Sequence, residues 1–285
     1  MEEIGNSIER IMESDIFKKF GSSVNDNLSP LERMEKEVER RNKEAGTLNK
    51  NLAFAYDCKE CLNRGYIWFI DEYENYSRRE CSCMTTRQAF TRIAKSGLEE
   101  AIRKYTFENF IVSEEWQKFI KNKAQSFCSD AEAKWFYIGG QSGSGKSHLC
   151  TAIAAYYLWS GKDLRYMRWA EESKKLKALV NDISYQSEVD KWKSIPVLYI
   201  DDFLKVESGG KPTPADMRLA FEIIDGRLND SRKITIISSE RTIAEHMKVG
   251  ADEATIGRIY HAAGDYTVSI PKDRKKNYRF KSKSI

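Results

Sequence analysis

The apolar positions of this chain change period twice. Over residues 2–20, Ile4, Ile8, Ile11, Met12, Ile16 and Phe20 recur every three to four residues, which predicts an amphipathic helix ending near Gly21. A polar loop follows. Ser29 and Pro30 then open a second helix running to about Glu44, with Ser29 as N-cap and proline in the first turn. That helix is mostly charged, so the pair reads either as solvated helices or as a small module that docks a partner. Residues 65–70 (GYIWFI) and the polar turn 71–76 predict a β-hairpin, and helices are expected at 85–95 and 98–104. From there the pattern alternates. Apolar runs predict strands at 134–138, 163–167, 196–200, 233–238 and 265–270. Amphipathic segments between them predict helices at 114–128, 146–159, 169–181, 214–229 and 252–262. The expected class is α/β: a parallel five-stranded sheet with helices on both faces, preceded by a small N-terminal helical and cysteine-bearing region. The expected domains are 1–57, 58–97 and 98–285.

Composition narrows the class little further. The chain has 285 residues, 41% hydrophobic and 32% charged, with a net charge of +4. The charge is uneven: residues 1–57 carry nine Lys/Arg against twelve Asp/Glu, and residues 272–285 carry seven against one. No apolar run is long enough to cross a bilayer, and the acidic start lacks an apolar signal region. These features predict a cytoplasmic protein without membrane association and with reduced cysteines.

Four of the six cysteines cluster. Cys58 and Cys61 form a C-x₂-C pair, Cys81 and Cys83 a C-x-C pair, and the hairpin lies between them. Four thiolates brought together at the two ends of a hairpin suit a tetrahedral structural Zn²⁺. An iron–sulfur cluster or four unliganded thiols are the alternatives. A catalytic zinc is disfavoured, because four protein ligands leave no open position. Lys59, Arg64, Arg78, Arg79 and Arg87 stand close in sequence and would offset the anionic ligand set.

Gly140, Gln141, Ser142, Gly143, Ser144, Gly145, Lys146 and Ser147 read GQSGSGKS and fit G-x-x-x-x-G-K-[ST]. Glycines let the backbone curl until several N–H groups converge on phosphate oxygens. Lys146 would reach the β- and γ-phosphates of ATP, and the Ser147 hydroxyl would ligate Mg²⁺. The strand before and the helix after, beginning Lys146-Ser147-His148, supply the context that the motif requires. The segment 196–202 (PVLYIDD) is a buried strand ending in two acids. Asp201 would hold Mg²⁺, and Asp202 would orient or deprotonate the attacking water. The apolar strand 233–238 ends in a polar tip where Ser239 or Glu240 would sense the γ-phosphate, and Arg258 on a late helix would reach the γ-phosphate of an adjacent subunit. Arg218 and Arg227 are weaker candidates, for which a solvated helix position is the better reading.

Together, GQSGSGKSHL, VLYIDDF, FEIIDGRLNDSRKITIISSE and the GRIY helix resemble the DnaC/DnaI family of replicative helicase loaders, which are AAA+ ATPases. The cysteine cluster and the YTFENF segment after it are similar to DnaI-type and phage-borne loaders. The resemblance spans roughly residues 50–275. It implies the family roles for Lys146, Ser147, Asp201, Asp202, a sensor at Ser239 or Glu240, and Arg258. It also implies an N-terminal module that binds the hexameric helicase, an ATPase module that binds single-stranded DNA, and a homo-oligomer when ATP is bound. For the DNA, Arg165, Tyr166, Arg168, Trp169, Lys174 and Lys175 form a basic and aromatic stretch, with Tyr166 or Trp169 stacking on bases; a core strand feeding a solvated helix is the competing reading. Two departures stand out. Glu240 occupies a position where Asn is usual, and the segment after Ile270 leaves no room for a helical lid, so a lid-borne sensor arginine is not expected. The short side chain of Asp202, where Glu is common, predicts slow turnover. The basic tail 272–283 would add phosphate attraction or fray.

Three other readings compete. A transposase-helper ATPase acting on double-stranded DNA would use nearly the same module but generally lacks the cysteine domain. A small-molecule kinase would need an acceptor pocket that the sequence does not reveal. A zinc-bearing binding module with a vestigial ATPase would tolerate loss of Lys146.

Overall fold

The computed structural model describes residues 28–48, 57–206 and 210–281. The helix expected over residues 2–20 lies outside them. The described residues form two compact units, 28–48 with Asp57–Cys81, and the residues from Ser82 onward.

In the first unit, α1 (Pro30–Lys43) starts as the sequence predicts. Ser29 Oγ accepts from the Glu32 backbone N–H, and the Glu32 carboxylate accepts from the Ser29 N–H, which completes a capping box. Strands β1 (Tyr66–Ile70) and β2 (Tyr76–Glu80) pair antiparallel. The charged helix is not simply solvated. The Asn42 amide donates to the Trp68 carbonyl at 2.9 Å, and its oxygen accepts from the Trp68 N–H at 3.0 Å. One side chain thereby pairs a strand residue as a neighbouring strand would. The Arg41 guanidinium lies over the rings of Trp68 and Tyr76, and Arg78 lies over Tyr66 and Trp68.

The second unit opens with α2 (Cys83–Ser96), α3 (Glu99–Lys104) and α4 (Glu115–Ser129). It continues β3 (Trp135–Gly140), α5 (Lys146–Trp159), β4 (Leu164–Arg168), α6 (Trp169–Ala178), α7 (Tyr185–Ser194) and β5 (Val197–Asp201). Then come α8 (Pro214–Leu228), β6 (Ile234–Ser239), α9 (Ile243–Lys248), α10 (Glu253–Ala263), β7 (Thr267–Ile270) and α11 (Tyr278–Lys281). The five strands form one parallel sheet in the order β4-β5-β6-β3-β7.

Period-two alternation assigns each strand side chain to one of two cores. Phe136 and Ile138 of β3, with Val197 and Tyr199 of β5, join the core that includes Leu149, Ile153 and Phe127 of α5 and α4. Trp135 and Tyr137, with Leu198 and Ile200, join the opposite core with Leu219, Ile223, Ile256 and Ile259 of α8 and α10. Helices on both faces force the strands to be apolar throughout, as their sequences are. The strand order brings the carboxyl ends of β3, β5 and β6 together, which is where such a sheet presents its ligand site.

Arg227 corrects one sequence reading. It is fully buried, not solvated. Its guanidinium donates to Thr235 Oγ1 at 3.0 Å and to the carbonyls of Trp192, Lys193, Ile195, Pro196 and Ile234. Burial lowers its pKa to about 10. It ties the end of α7 and the starts of β5 and β6 to α8.

Candidate nucleotide and metal sites

The turn between β3 and α5 needs glycine for steric reasons. Gly140, Gly143 and Gly145 have φ of +119°, +71° and +90°. A Cβ on Gly140 would stand 1.9 Å from the Ile270 carbonyl oxygen, and one on Gly145 would stand 2.6 Å from Phe110 Cε2. Side chains inside the turn hold its shape. Ser144 Oγ donates to the Gln141 carbonyl at 2.8 Å, and the Gln141 side chain accepts from the Asp273 N–H at 2.9 Å. Lys146 is buried, and its ammonium donates to the carbonyls of Gly140 and Gln141 at 3.0 and 2.7 Å. Burial lowers its pKa, because the charged form loses hydration.

Beside this loop, the Asp201 carboxylate gathers three hydroxyls. Ser147 donates to Oδ1 at 2.9 Å, Tyr166 donates to Oδ2 at 3.0 Å, and Ser238 donates to Oδ1. Adjacent oxygen ligands of an octahedral Mg²⁺ at about 2.1 Å lie about 3 Å apart, so Ser147 and Asp201 fit that ion. Asp202 sits at φ +54°, and its N–H donates to Ser238 Oγ at 3.2 Å. Its carboxylate meets Lys205, which also meets Glu240.

Lys146, Ser147, His148, Asp201, Asp202, Lys205 and Glu240 line a cavity of about 450 Å³. Aromatic side chains line it too: Tyr105, Phe110 and Tyr278, with Ile111. His148 joins this cluster, with Nε2 on the Thr106 carbonyl at 2.7 Å and its ring against Tyr105 and Phe110. The segment after β7 crosses the loop as a strap. The Tyr278 N–H donates to the Gly143 carbonyl at 2.9 Å, and Tyr278 Oη donates to the Ile111 carbonyl at 2.7 Å. Arg279 from this strap lines the cavity. Sequence reasoning left these residues as a basic tail. The signal was Asn277-Tyr278 within it, an aromatic and a small polar residue in a run of cations.

The remaining expected site residues fall differently. Ser239 does not face the cavity: it is buried, donating to the Phe203 carbonyl at 3.1 Å and sharing a 2.9 Å hydrogen bond with His246 Nε2. Of the two residues, Glu240 lines the cavity. Arg258 pairs with Asp225 at 3.2 Å and lies over the Phe221 ring, away from this chain's own cavity lining. The stretch expected to hold DNA is corrected at Trp169, which is buried edge-on against Phe203, so its ring is not open to a base. Tyr166 is half-buried, with its hydroxyl on Asp201. Arg168 pairs with Glu171, Lys175 pairs with Glu172, and Arg165 covers the Trp192 ring. Lys174 lines a smaller cavity with Lys177 and Asp216.

The four clustered cysteines converge. The sulfurs of Cys58, Cys61, Cys81 and Cys83 all lie within 4.8 Å of one another, with Cys58 and Cys81 at 3.8 Å. The boundary between the two compact units falls between Cys81 and Ser82, inside this short stretch. Thiolates on a tetrahedral zinc at about 2.3 Å stand about 3.8 Å apart, so the spacing fits one metal ion. A multi-iron cluster needs more room between its thiolates than this spacing leaves. The Gly65 N–H donates to Cys61 Sγ at 3.3 Å. Of the cations expected to offset the thiolates, Arg64 donates to the carbonyls of Arg41 and Glu44, and Arg78 covers aromatic rings.

Residues 60–284 match the IstB-like ATP binding protein family. The chain belongs to that family. Among its relatives, the Bacillus subtilis protein YqaM, described as uncharacterized, is 30% identical over 71% of this chain and 66% of its own length. The replicative helicase loader DnaC of Buchnera aphidicola subsp. Baizongia pistaciae is 25% identical over 55% of this chain and 69% of its own. The crystal structure of the DnaC helicase loader superposes with a TM-score of 0.51 at 19% identity, covering 61% of this chain and 99% of that one. The fold of this IstB-like chain is therefore the AAA+ P-loop ATPase core, with ATP and Mg²⁺ as the ligands the family implies. Among the described residues no helix is long and apolar enough to cross a membrane.

Proposed function

We propose that this chain is an ATP-dependent loader of a hexameric replicative helicase, of the DnaI-like kind found in phages. The observation that carries the ATPase reading is the Ser147–Asp201 hydrogen bond at 2.9 Å beside Lys146, in a cavity that aromatic side chains also line. The aromatic lining suits the adenine base, and the glycine turn suits the phosphates. Bound Mg²⁺, held by Ser147 and Asp201, would neutralise charge on the β- and γ-phosphates. Asp202 orients a water and accepts its proton as the water oxygen bonds to the γ-phosphorus. The bond from that phosphorus to the bridging oxygen breaks, and ADP leaves with the electron pair. Ser239 holds the β6 tip through Phe203 and His246, while Glu240 faces the phosphate end.

Arg258 acts as the finger toward a neighbouring copy in an ATP-bound homo-oligomer. Its half-buried place on α10, outside its own cavity, leaves it free of this chain's own nucleotide site. The module that includes α1 and the cysteine hairpin, with zinc on Cys58, Cys61, Cys81 and Cys83, engages the helicase. Single-stranded DNA is the expected second ligand, contacted by the cations of the 165–175 stretch without base stacking by Trp169.

The family match favours one competing reading, a transposase-helper ATPase on double-stranded DNA. Turnover of the full chain measured with each DNA form separates the two. Stimulation by single-stranded DNA together with co-purification of a replicative helicase supports the loader. Stimulation by double-stranded DNA alone, with no helicase bound, supports the helper.

A further inference from the structure

The Lys205 ammonium stands between two carboxylates at the mouth of the nucleotide cavity, 2.9 Å from Asp202 Oδ2 and 3.0 Å from Glu240 Oε1. The two acids come from the tips of adjacent strands, β5 and β6. The backbone folds the lysine back between them. Asp202 and Leu204 both sit at φ +54°, a conformation that non-glycine residues rarely adopt. The Phe203 N–H donates to the Ser238 carbonyl at 2.8 Å, and the Lys205 N–H donates to the Asp202 carbonyl at 3.0 Å, which fixes the turn. Strain of this kind is kept where a site needs it.

The triad does little for folding. Each of its side chains is more than a third exposed, and ion pairs that open to solvent contribute almost nothing to stability. Its effect lies in the local field. Glu240 and Asp202 line the same cavity as Lys146, and a polyanionic ligand there meets a carboxylate at the β6 tip. An uncompensated glutamate would repel it. Partial burial works against a charge on Lys205, but its hydrogen bonds to Asp202 and Glu240 outweigh that and raise its pKa.

We propose that Lys205 is a positioning residue whose charge cancels that of Glu240, so that an acidic strand tip can stand beside a triphosphate. The lysine acts through Glu240 and Asp202 and does not contact the reacting atoms. This inference rests on the ATPase reading, with ATP as substrate. It explains how the chain carries glutamate at a position where a neutral amide would suit the phosphate: the lysine and the glutamate function as a pair.

The test is a double-mutant cycle with steady-state MgATP hydrolysis and calorimetric MgATP binding on Lys205→Ala, Glu240→Gln, the double variant and the unaltered chain. Thermal melts verify that each variant folds. Lys205→Ala should raise KM about tenfold, more than it lowers kcat, because an unpaired carboxylate at this range repels the ligand. In the Glu240→Gln background the same change should alter KM less than about threefold, and Lys205→Arg should keep KM near its original value. Equal effects of Lys205→Ala in both backgrounds, or none in the unaltered chain, overturn the pairing. If the unaltered chain neither binds nor hydrolyses MgATP, the ATPase reading fails and this inference falls with it.

Discussion

Tyr166 donates its phenolic hydrogen to Asp201 Oδ2 at 3.0 Å, opposite the Ser147 bond to Oδ1. The carboxylate is thus held from both sides. Partial burial and the neighbouring Asp201 charge push the Tyr166 pKa far up, so the phenol remains a donor. Tyr166→Phe should weaken MgATP affinity about tenfold, the loss expected for one hydrogen bond to a charged group. Calorimetry across magnesium concentrations measures it. A residue that stacked on DNA would leave nucleotide affinity unchanged.

Arg227→Met should destabilise the fold by about 3 kcal/mol, because a thioether cannot replace the hydrogen bonds that the buried guanidinium gives to the Thr235 hydroxyl and to the carbonyls at the end of α7 and the starts of β5 and β6. Urea unfolding followed by far-ultraviolet circular dichroism measures the difference. A change within about 0.5 kcal/mol, the usual result for a solvated helix position, would contradict the burial of this side chain.

Stability should fall as pH drops from about 6.5 to about 4. His246 is buried, and its pKa is pushed down to about 4, first by that burial and then by the Arg241 charge. In this window the unfolded chain takes up a proton on His246 and the folded chain does not, so acid favours unfolding. Above about 6.5 the contribution is complete and the dependence vanishes. The slope is at most about 1.4 kcal/mol per pH unit for one group. His246→Gln should flatten the pH 4–6.5 limb of a denaturant-midpoint series; an unchanged limb would place its cause elsewhere.

The purified chain should carry one zinc per molecule. The four sulfurs lie within 4.8 Å of one another, close enough to share one ion, and the hairpin between them has only ten strand residues. Metal analysis by mass spectrometry gives the stoichiometry. Cys81→Ser should lose the metal and expose residues 57–81 to limited proteolysis. Iron with visible absorption in place of zinc would contradict the zinc assignment.

The five sheet strands were legible because burial on both faces makes them unbroken apolar runs, WFYI and VLYI among them. The cysteine hairpin was legible from spacing alone. Helix α7 escaped notice because only Val189 and Trp192 are buried on it, too few anchors to set a period. Helix α9 has six residues and a single buried one, His246. The aromatic lining of the cavity was hidden for another reason: Phe110 and Tyr278 meet with ring centroids 6.1 Å apart from opposite ends of the ATPase unit. Trp169 misled because a tryptophan beside arginines reads as a stacking platform, whereas the turn from β4 into α6 buries it. Local motifs expose residues that act next to one another in sequence, and side chains that meet only through the sheet order stay out of reach.

The account stands on the glycine turn and the β5 acids holding MgATP. Calorimetric titration of ATP into the full chain, with and without magnesium, tests this most directly when run beside Lys146→Ala. The expected result is one site per chain that requires magnesium and is lost in the variant. Equal heats with and without the metal, or undiminished binding by Lys146→Ala, would contradict it.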